Sequence, residues 1–166
     1  MVGGIYLRKV QIPDLKYLLD WENDPENWEV SDTEQAYSQE EMLQFILDQQ
    51  MGDSEQCRYI ICHELSHLPL GTIDLFSIDH QKKTAEVGIL IAERKYRRKG
   101  YALLALLYLI ALCKEEYHLN HLFCYIDAEN KASVGLFEKA GFRWLKTLKR
   151  KNKNLHLYQV DLNTSL

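Results

Sequence analysis

The chain has 166 residues, 46% of them hydrophobic and 27% charged, with a net charge of −4. That length suits one domain spanning 1–166 with a real core, and the fractions are ordinary globular values, which argues against a disordered or fibrous chain. Thirteen acids stand against one base (Lys16) from Gln11 to Gln56, and 17 bases against 11 acids from Cys57 to Leu166. Positive charge is local, in Arg94 to Lys99 and Lys149 to Lys153, so no nucleic-acid partner is expected.

Ile5 to Val10 alternates enough for a first strand, and Pro13 opens a helix carrying Leu15, Leu18, Leu19 and Trp21. Asp24-Pro25 breaks that helix. Ser38-Gln-Glu-Glu41 is a capping box ahead of Met42, Phe45, Ile46 and Gln49, a second amphipathic helix that ends at Gly52. Arg58 to His63, Leu70 to Ile78 and Thr84 to Ala92 read as three further strands. A long apolar helix runs from Gly100 to about His118, too short in its apolar run (Tyr101 to Cys113) to span a bilayer. A fifth strand follows from Leu122 to Asp127. Next comes a helix from Lys131 to Ala140, closed by Gly141. Phe142 to Leu148 and Leu155 to Leu162 form a closing hairpin around Lys151-Asn-Lys-Asn. The count is about seven strands and four helices in a single α/β domain with a mixed sheet.

Cys57, Cys62, Cys113 and Cys124 lie in apolar contexts without a C-x-x-C pair, and no basic-then-apolar leader opens the chain. They read as reduced core thiols of a cytoplasmic protein. Cys62, His63 and His67 lack a fourth ligand, so no metal is expected.

The informative stretch is Tyr96-Arg-Arg-Lys-Gly-Tyr-Ala102, between the apolar run Val87 to Ile91 and the long helix. Strand, short basic glycine-containing loop and buried helix together aim backbone N–H groups and a helix N-terminus at one point, where an anion is stabilised. Arg97, Arg98 and Lys99 add charge-assisted donors around Gly100, Tyr101 and Ala102. These residues read as a cradle for a pyrophosphate, with a surface loop of solvated charges at a helix N-terminus as the alternative. Neither G-x-x-x-x-G-K-[ST] nor G-x-G-x-x-G is present, which disfavours a P-loop nucleotidase and a dinucleotide site.

The pattern R-x-x-G-x-A at Arg97, Gly100 and Ala102 resembles the acyl-CoA signature of the GCN5-related N-acetyltransferase (GNAT) family. Asn130-Lys-Ala-Ser-Val-Gly-Leu-Phe-Glu-Lys-Ala-Gly-Phe142 is similar to that family's second segment. Trp21-Glu-Asn-Asp-Pro-Glu26 resembles a stretch of its polyamine and ribosomal-protein branches. The resemblance implies a mostly antiparallel sheet whose strands four and five splay apart at the acyl-CoA site. It implies acetyl-CoA as co-substrate and an amine acceptor, either a small molecule such as a polyamine or a peptide amine. It also implies that backbone groups of Ile89, Leu90, Ile91 and Ala92 hold the pantetheine and thioester. The N–H groups from Arg98 to Ala102 would then hold the pyrophosphate, with Asn130 and Ser133 touching the arm. Asn130 is equally a natural N-cap, with Ser133 in the first turn of its helix. A non-catalytic acyl-CoA-binding module of the same fold, and a homodimer, stay open.

Acyl transfer to an amine needs a proton acceptor, an oxyanion site and a donor for the leaving thiolate. Glu86 shares a strand face with Gly88 and Leu90 and is the first candidate base, with Asp74 the second. Phe137 stands where many family members have a tyrosine acid, so Tyr125 is the substitute. Glu22, Asp24, Glu26, Glu29, Asp32 and Glu34 lie between the first two helices. Glu26 and Glu29 are expected to draw in a cationic acceptor, with cation–π help from Trp21 and Trp28.

Overall fold

The computed structural model describes residues 4–27, 36–52 and 55–163. The seven strands are β1 (Ile5–Lys9), β2 (Cys57–His63), β3 (Pro69–Asp79), β4 (Thr84–Ile91), β5 (His121–Asp127), β6 (Arg143–Arg150) and β7 (Lys153–Asp161). Among the described residues the α-helices are α1 (Leu15–Glu22), α2 (Gln39–Met51), α3 (Tyr101–Glu115) and α4 (Lys131–Lys139). None of them is long and apolar enough to cross a membrane.

The sheet has the order β1-β2-β3-β4-β5-β7-β6, antiparallel throughout except for the parallel β4–β5 pair. That pairing lasts for only three residues: Thr84 with His121, Ala85 with Leu122 and Glu86 with Phe123. Beyond Glu86 the two strands part. The expected splay is therefore present, and it begins at the candidate base.

Each face of the sheet has its own core. One side buries Ala85, Val87, Leu122, Cys124 and Ile126 against Leu106 and Leu109 of α3 and Phe137 of α4. The other buries Ile60, Cys62 and Leu90 against Leu18 and Trp21 of α1 and Met42 and Ile46 of α2. Alternation along β4 and β5 then puts Glu86, Gly88, Phe123 and Tyr125 on the α1–α2 side. The β3–β4 contact is tight enough that a Cβ on Gly71 would overlap the Leu90 carbonyl.

Local chemistry sets the element ends. Ser38 Oγ accepts from the Glu41 N–H at 3.0 Å and Glu41 returns a carboxylate oxygen to the Ser38 N–H at 3.2 Å, the expected capping box. Pro13 lies in a 3₁₀ turn (Ile12–Asp14) that precedes α1. Asp14 anchors this turn: it accepts two 2.8 Å bonds from the Arg8 guanidinium and one from the Gln11 N–H. Burial pushes the Asp14 carboxyl up, but Arg8 and the Gln11 N–H outweigh it and hold the group below the usual carboxylate range. The closing hairpin is tighter than its sequence suggests. Its turn is Lys151-Asn152 alone, with φ values of 47° and 63°, so Lys153 and Asn154 join β7. Two left-handed residues match the strand twist, which favours the two-residue turn.

Candidate active site

The cleft between β4 and β5 is built from both sides. Ala92 N–H donates to the Leu70 carbonyl at 2.9 Å, which turns the backbone groups of alternate residues toward β3. Those of Ile89 and Ile91 consequently face the parted edge. Two of the backbone groups expected to hold an acyl-CoA arm are committed elsewhere. Ala92 N–H belongs to β3, and the Ile91 carbonyl accepts from Arg97 Nε at 2.7 Å. The free edge is thus centred on Ile89 and the Ile91 N–H, with Leu90 turned to the sheet.

Glu86 is half-buried, with Phe76 as its β3 partner and Phe123 as its β5 partner. All three side chains share the α1–α2 face, so the carboxylate stands between two aromatic positions where the strands begin to part. Tyr125 lies two residues beyond Phe123, its ring edge-on to that of Phe123 at 6.0 Å. The Arg150 guanidinium lies 4.8 Å from the Tyr125 ring centroid. The two expected catalytic side chains therefore occupy one face on opposite strands of the cleft.

Asp74 does not qualify as an alternative base. Arg58 donates to it through Nε (2.9 Å) and Nη2 (2.8 Å), and Arg58 Nη1 reaches Glu22 at 3.3 Å. A carboxylate gripped by a buried guanidinium has its lone pairs occupied and is not open to a substrate proton. Phe137 is a core residue, 4% exposed and packed edge-to-face on Phe142 at 5.0 Å, so α4 turns no hydroxyl from that position toward the cleft.

The basic loop behaves as its composition requires. Gly100 is the N-cap of α3 with φ 85°, and nothing lies within 4 Å of where its Cβ would be. Only glycine adopts that φ without strain. Arg98 is also left-handed, at φ 58°. The first helical bond runs from Leu104 N–H to the Gly100 carbonyl at 3.1 Å, so the amides of Tyr101, Ala102 and Leu103 open the helix N-terminus. The surrounding space, the left-handed turn and the helix start fit a pyrophosphate.

The cations divide their work. Arg97 turns inward: besides the Ile91 carbonyl it reaches Asn27 Oδ1 at 3.0 Å through Nη2. Lys99 Nζ lies 5.9 Å from the Tyr96 ring centroid, and Lys95 Nζ lies 5.2 Å from it. The Arg97 side chain thus serves the scaffold, while Arg98 and Lys99 lie exposed on the loop. Asn130 caps α4 through a 3.1 Å bond from the Ser133 N–H. That cap places both residues at the helix start but occupies Asn130 Oδ1.

The acidic segment is more committed than its composition suggests. Glu22 pairs with Arg58, while Asp24 (2.9 Å) and Glu26 both pair with Arg94. Trp21 is 5% exposed and donates its indole N–H to Glu93 at 3.1 Å, so it is a core residue and offers no open ring for cation–π contact. Trp28, Glu29, Asp32 and Glu34 lie outside the described residues. His63 Nδ1 faces Ser66 and His67 Nδ1 faces Tyr6, so the two imidazoles and Cys62 do not converge. Among the described residues no group of three or more His, Cys, Asp or Glu side chains gathers as a metal site. Sequence reasoning missed Arg58, Asn27 and Glu93, whose partners are distant in the chain and leave no local motif.

Residues 5–143 match the family model described as an acetyltransferase (GNAT) domain. An N-acetyltransferase 9-like protein of Nematostella vectensis is 30% identical over 123 residues, 66% of this chain and 62% of that protein. The chain thus spans less than two thirds of that relative's length. Among solved structures, the spermidine N-acetyltransferase of Vibrio cholerae in complex with CoA and spermine superposes with a TM-score of 0.86. It is 19% identical, and the match covers 95% of each chain. An acetyltransferase (GNAT family) of Bacillus anthracis gives a TM-score of 0.83 at 19% identity, over 99% of this chain and 98% of the other. At such identities the likeness shows a common fold.

Proposed function

The chain belongs to the GNAT acetyltransferase family, and from that premise we propose that it is an acetyl-CoA-dependent N-acetyltransferase whose acceptor is a cationic amine of the polyamine or diamine class. The observation that carries this reading is the parting of β4 and β5 after Glu86, beside a left-handed Gly100 turn at the start of α3. One opening admits the acyl arm, and the other end of the same cleft receives its phosphates.

The reaction follows from the groups at hand. An alkylammonium, with a pKa of about 10.4, has no lone pair to attack with. Glu86 takes its proton through water, and the freed nitrogen attacks the thioester carbon in a ternary complex. As the N–C bond forms, the N–H groups of Ile89 and Ile91 at the parted edge donate to the oxyanion. The C–S bond then breaks as Tyr125 gives the departing thiolate a proton, and the second proton leaving the new amide nitrogen passes through water to restore the Tyr125 hydroxyl. A thiol pKa of about 8.5 makes that group a tolerable leaving group even with an imperfect donor.

Three facts support a cationic acceptor. The segment 11–56 carries 13 acids against one base. Arg58 answers two carboxylates, Glu22 and Asp74, so that this buried cluster keeps one negative charge in excess. The Vibrio cholerae enzyme of the same fold was solved with spermine. A protein N-terminus is the second reading. It is favoured by the α1–α2 side of β5 and β7, where half-buried Phe123, Tyr125 and Leu157 form an apolar strip beside the cleft. A non-catalytic acyl-CoA-binding module is the third, favoured by Phe137. Four unpaired cysteines support a cytoplasmic setting. Release of CoA from acetyl-CoA, followed with spermidine, a diamine and an N-terminal peptide, separates all three. Turnover with the amines supports the proposal, turnover with the peptide alone selects the second reading, and acetyl-CoA binding without release under any acceptor selects the third.

A further inference from the structure

Three polar links join the segment that leads into the acyl-CoA loop, residues 93–97, to the end of α1 and the turn after it, residues 21–27. Glu93 accepts from the Trp21 indole at 3.1 Å, and Arg94 holds Asp24 at 2.9 Å together with Glu26. Arg97 Nη2 donates to Asn27 Oδ1 at 3.0 Å. Asn27 is 1% exposed, and its Nδ2 donates onward to the Trp21 carbonyl at 2.9 Å. The same Arg97 guanidinium binds the Ile91 carbonyl on the cleft edge of β4. One side chain therefore touches the acyl-CoA edge and the acceptor-side turn, while its own backbone enters the phosphate loop.

We propose that Arg97 is a positioning residue that couples the two substrate sites: occupation of the loop by acetyl-CoA orders the 23–27 turn through Asn27 and so tightens acceptor binding. The inference rests on the reading of 98–102 as the acyl-CoA loop and of the α1 side as the acceptor side. Its physical basis is shared ordering. Arg98 and Gly100 hold left-handed conformations directly after Arg97. A ligand that fixes those backbones fixes the Arg97 stem, and a planar fork with two partners transmits that restraint better than a flexible ammonium. A second ligand then meets a turn that is already ordered, which is positive cooperativity without a new contact.

The test is amide hydrogen exchange on the whole chain with and without saturating CoA, in the wild type, Asn27→Ala and Arg97→Lys. The reporters are the N–H groups of Asn23 and Asn27, bonded to the Leu19 and Asp24 carbonyls at 3.0 and 2.9 Å. In the wild type, CoA should slow exchange at 101–104 and also slow it at 23–27 by about fivefold or more, the low end of ordinary site coupling. In both variants the slowing at 101–104 should persist while that at 23–27 falls away. Arg97→Lys keeps the charge and the loop, so the result does not depend on Asn27→Ala folding well. Full slowing at 23–27 in the variants, or none there in a wild type protected at 101–104, overturns the coupling. No slowing at 101–104 in the wild type removes the acyl-CoA reading of the loop itself, and the coupling with it.

Discussion

Arg58 grips Asp74 by two nitrogens, Nε at 2.9 Å and Nη2 at 2.8 Å, with both side chains 13% exposed. Arg58 also holds Glu22 at 3.3 Å, and its guanidinium carbon lies 4.8 Å from the Phe45 ring centroid. This makes Asp74 a structural anion of the α1–α2 side of the sheet. Asp74→Asn should cost stability on the order of 3 kcal/mol, because it leaves a buried cation half-paired. It should leave the shape of the pH–rate profile unchanged. Thermal unfolding and the profile together check this, and a lost acid limb would return Asp74 to the catalytic group.

Glu86 carries the opposite expectation. Glu86→Gln should lower kcat about 100-fold at the plateau and flatten the acid limb, with little change in melting temperature. If its profile superimposes on that of the wild type, the proton leaves through ordered water.

The loop prediction rests on backbone conformation. A β-branched residue at the φ of 85° found at Gly100 carries a penalty of about 1–2 kcal/mol, so Gly100→Val should raise the acetyl-CoA KM about tenfold. Arg98→Ala removes one exposed cation and should raise it less. Equal KM values for Gly100→Val and the wild type, with the fold intact, would move the pyrophosphate site elsewhere.

These assignments differ in how far the sequence alone reveals them. The apolar run Val87–Ile91, the basic glycine turn and the long apolar helix lie next to one another in the chain, so their order, strand then turn then helix, is visible locally. The Ser38–Glu41 capping box and the Asn130 cap are legible for the same reason. The Arg58–Asp74 and Arg97–Asn27 pairs, 16 and 70 residues apart, form only when strands and turns meet. No local pattern marks them. This is why Arg97 reads as a phosphate ligand in the sequence and acts as scaffold in the fold, and why Asp24 and Glu26 read as an open acidic surface although both serve Arg94. The hairpin turn is misjudged for a different reason: Lys151, Asn152, Lys153 and Asn154 all suit a turn, and only the strand register selects the first two.

The cysteines give a prediction independent of function. Burial pushes the Cys113 thiol up to about 12 and raises Cys62 and Cys124 as well. Cys57 is half-buried and accepts from the Tyr117 hydroxyl at 3.3 Å. An aromatic disulfide reagent at neutral pH should therefore label no thiol but Cys57 in the native protein, and all four after unfolding. Rapid labelling of two or more native thiols would mean that the core opens more readily than its packing implies.

The claim that this fold acetylates a cationic amine is tested most directly by the salt dependence of kcat/KM for spermidine, with a neutral N-terminal peptide run in parallel. Electrostatic attraction between an acidic acceptor side and a polycation should make the spermidine value fall at least tenfold between about 20 and about 300 mM salt, while the peptide value stays low and nearly flat. A salt-independent spermidine rate, or a peptide turned over faster than spermidine at every salt concentration, would contradict the cationic-acceptor reading and leave the transferase with a different amine.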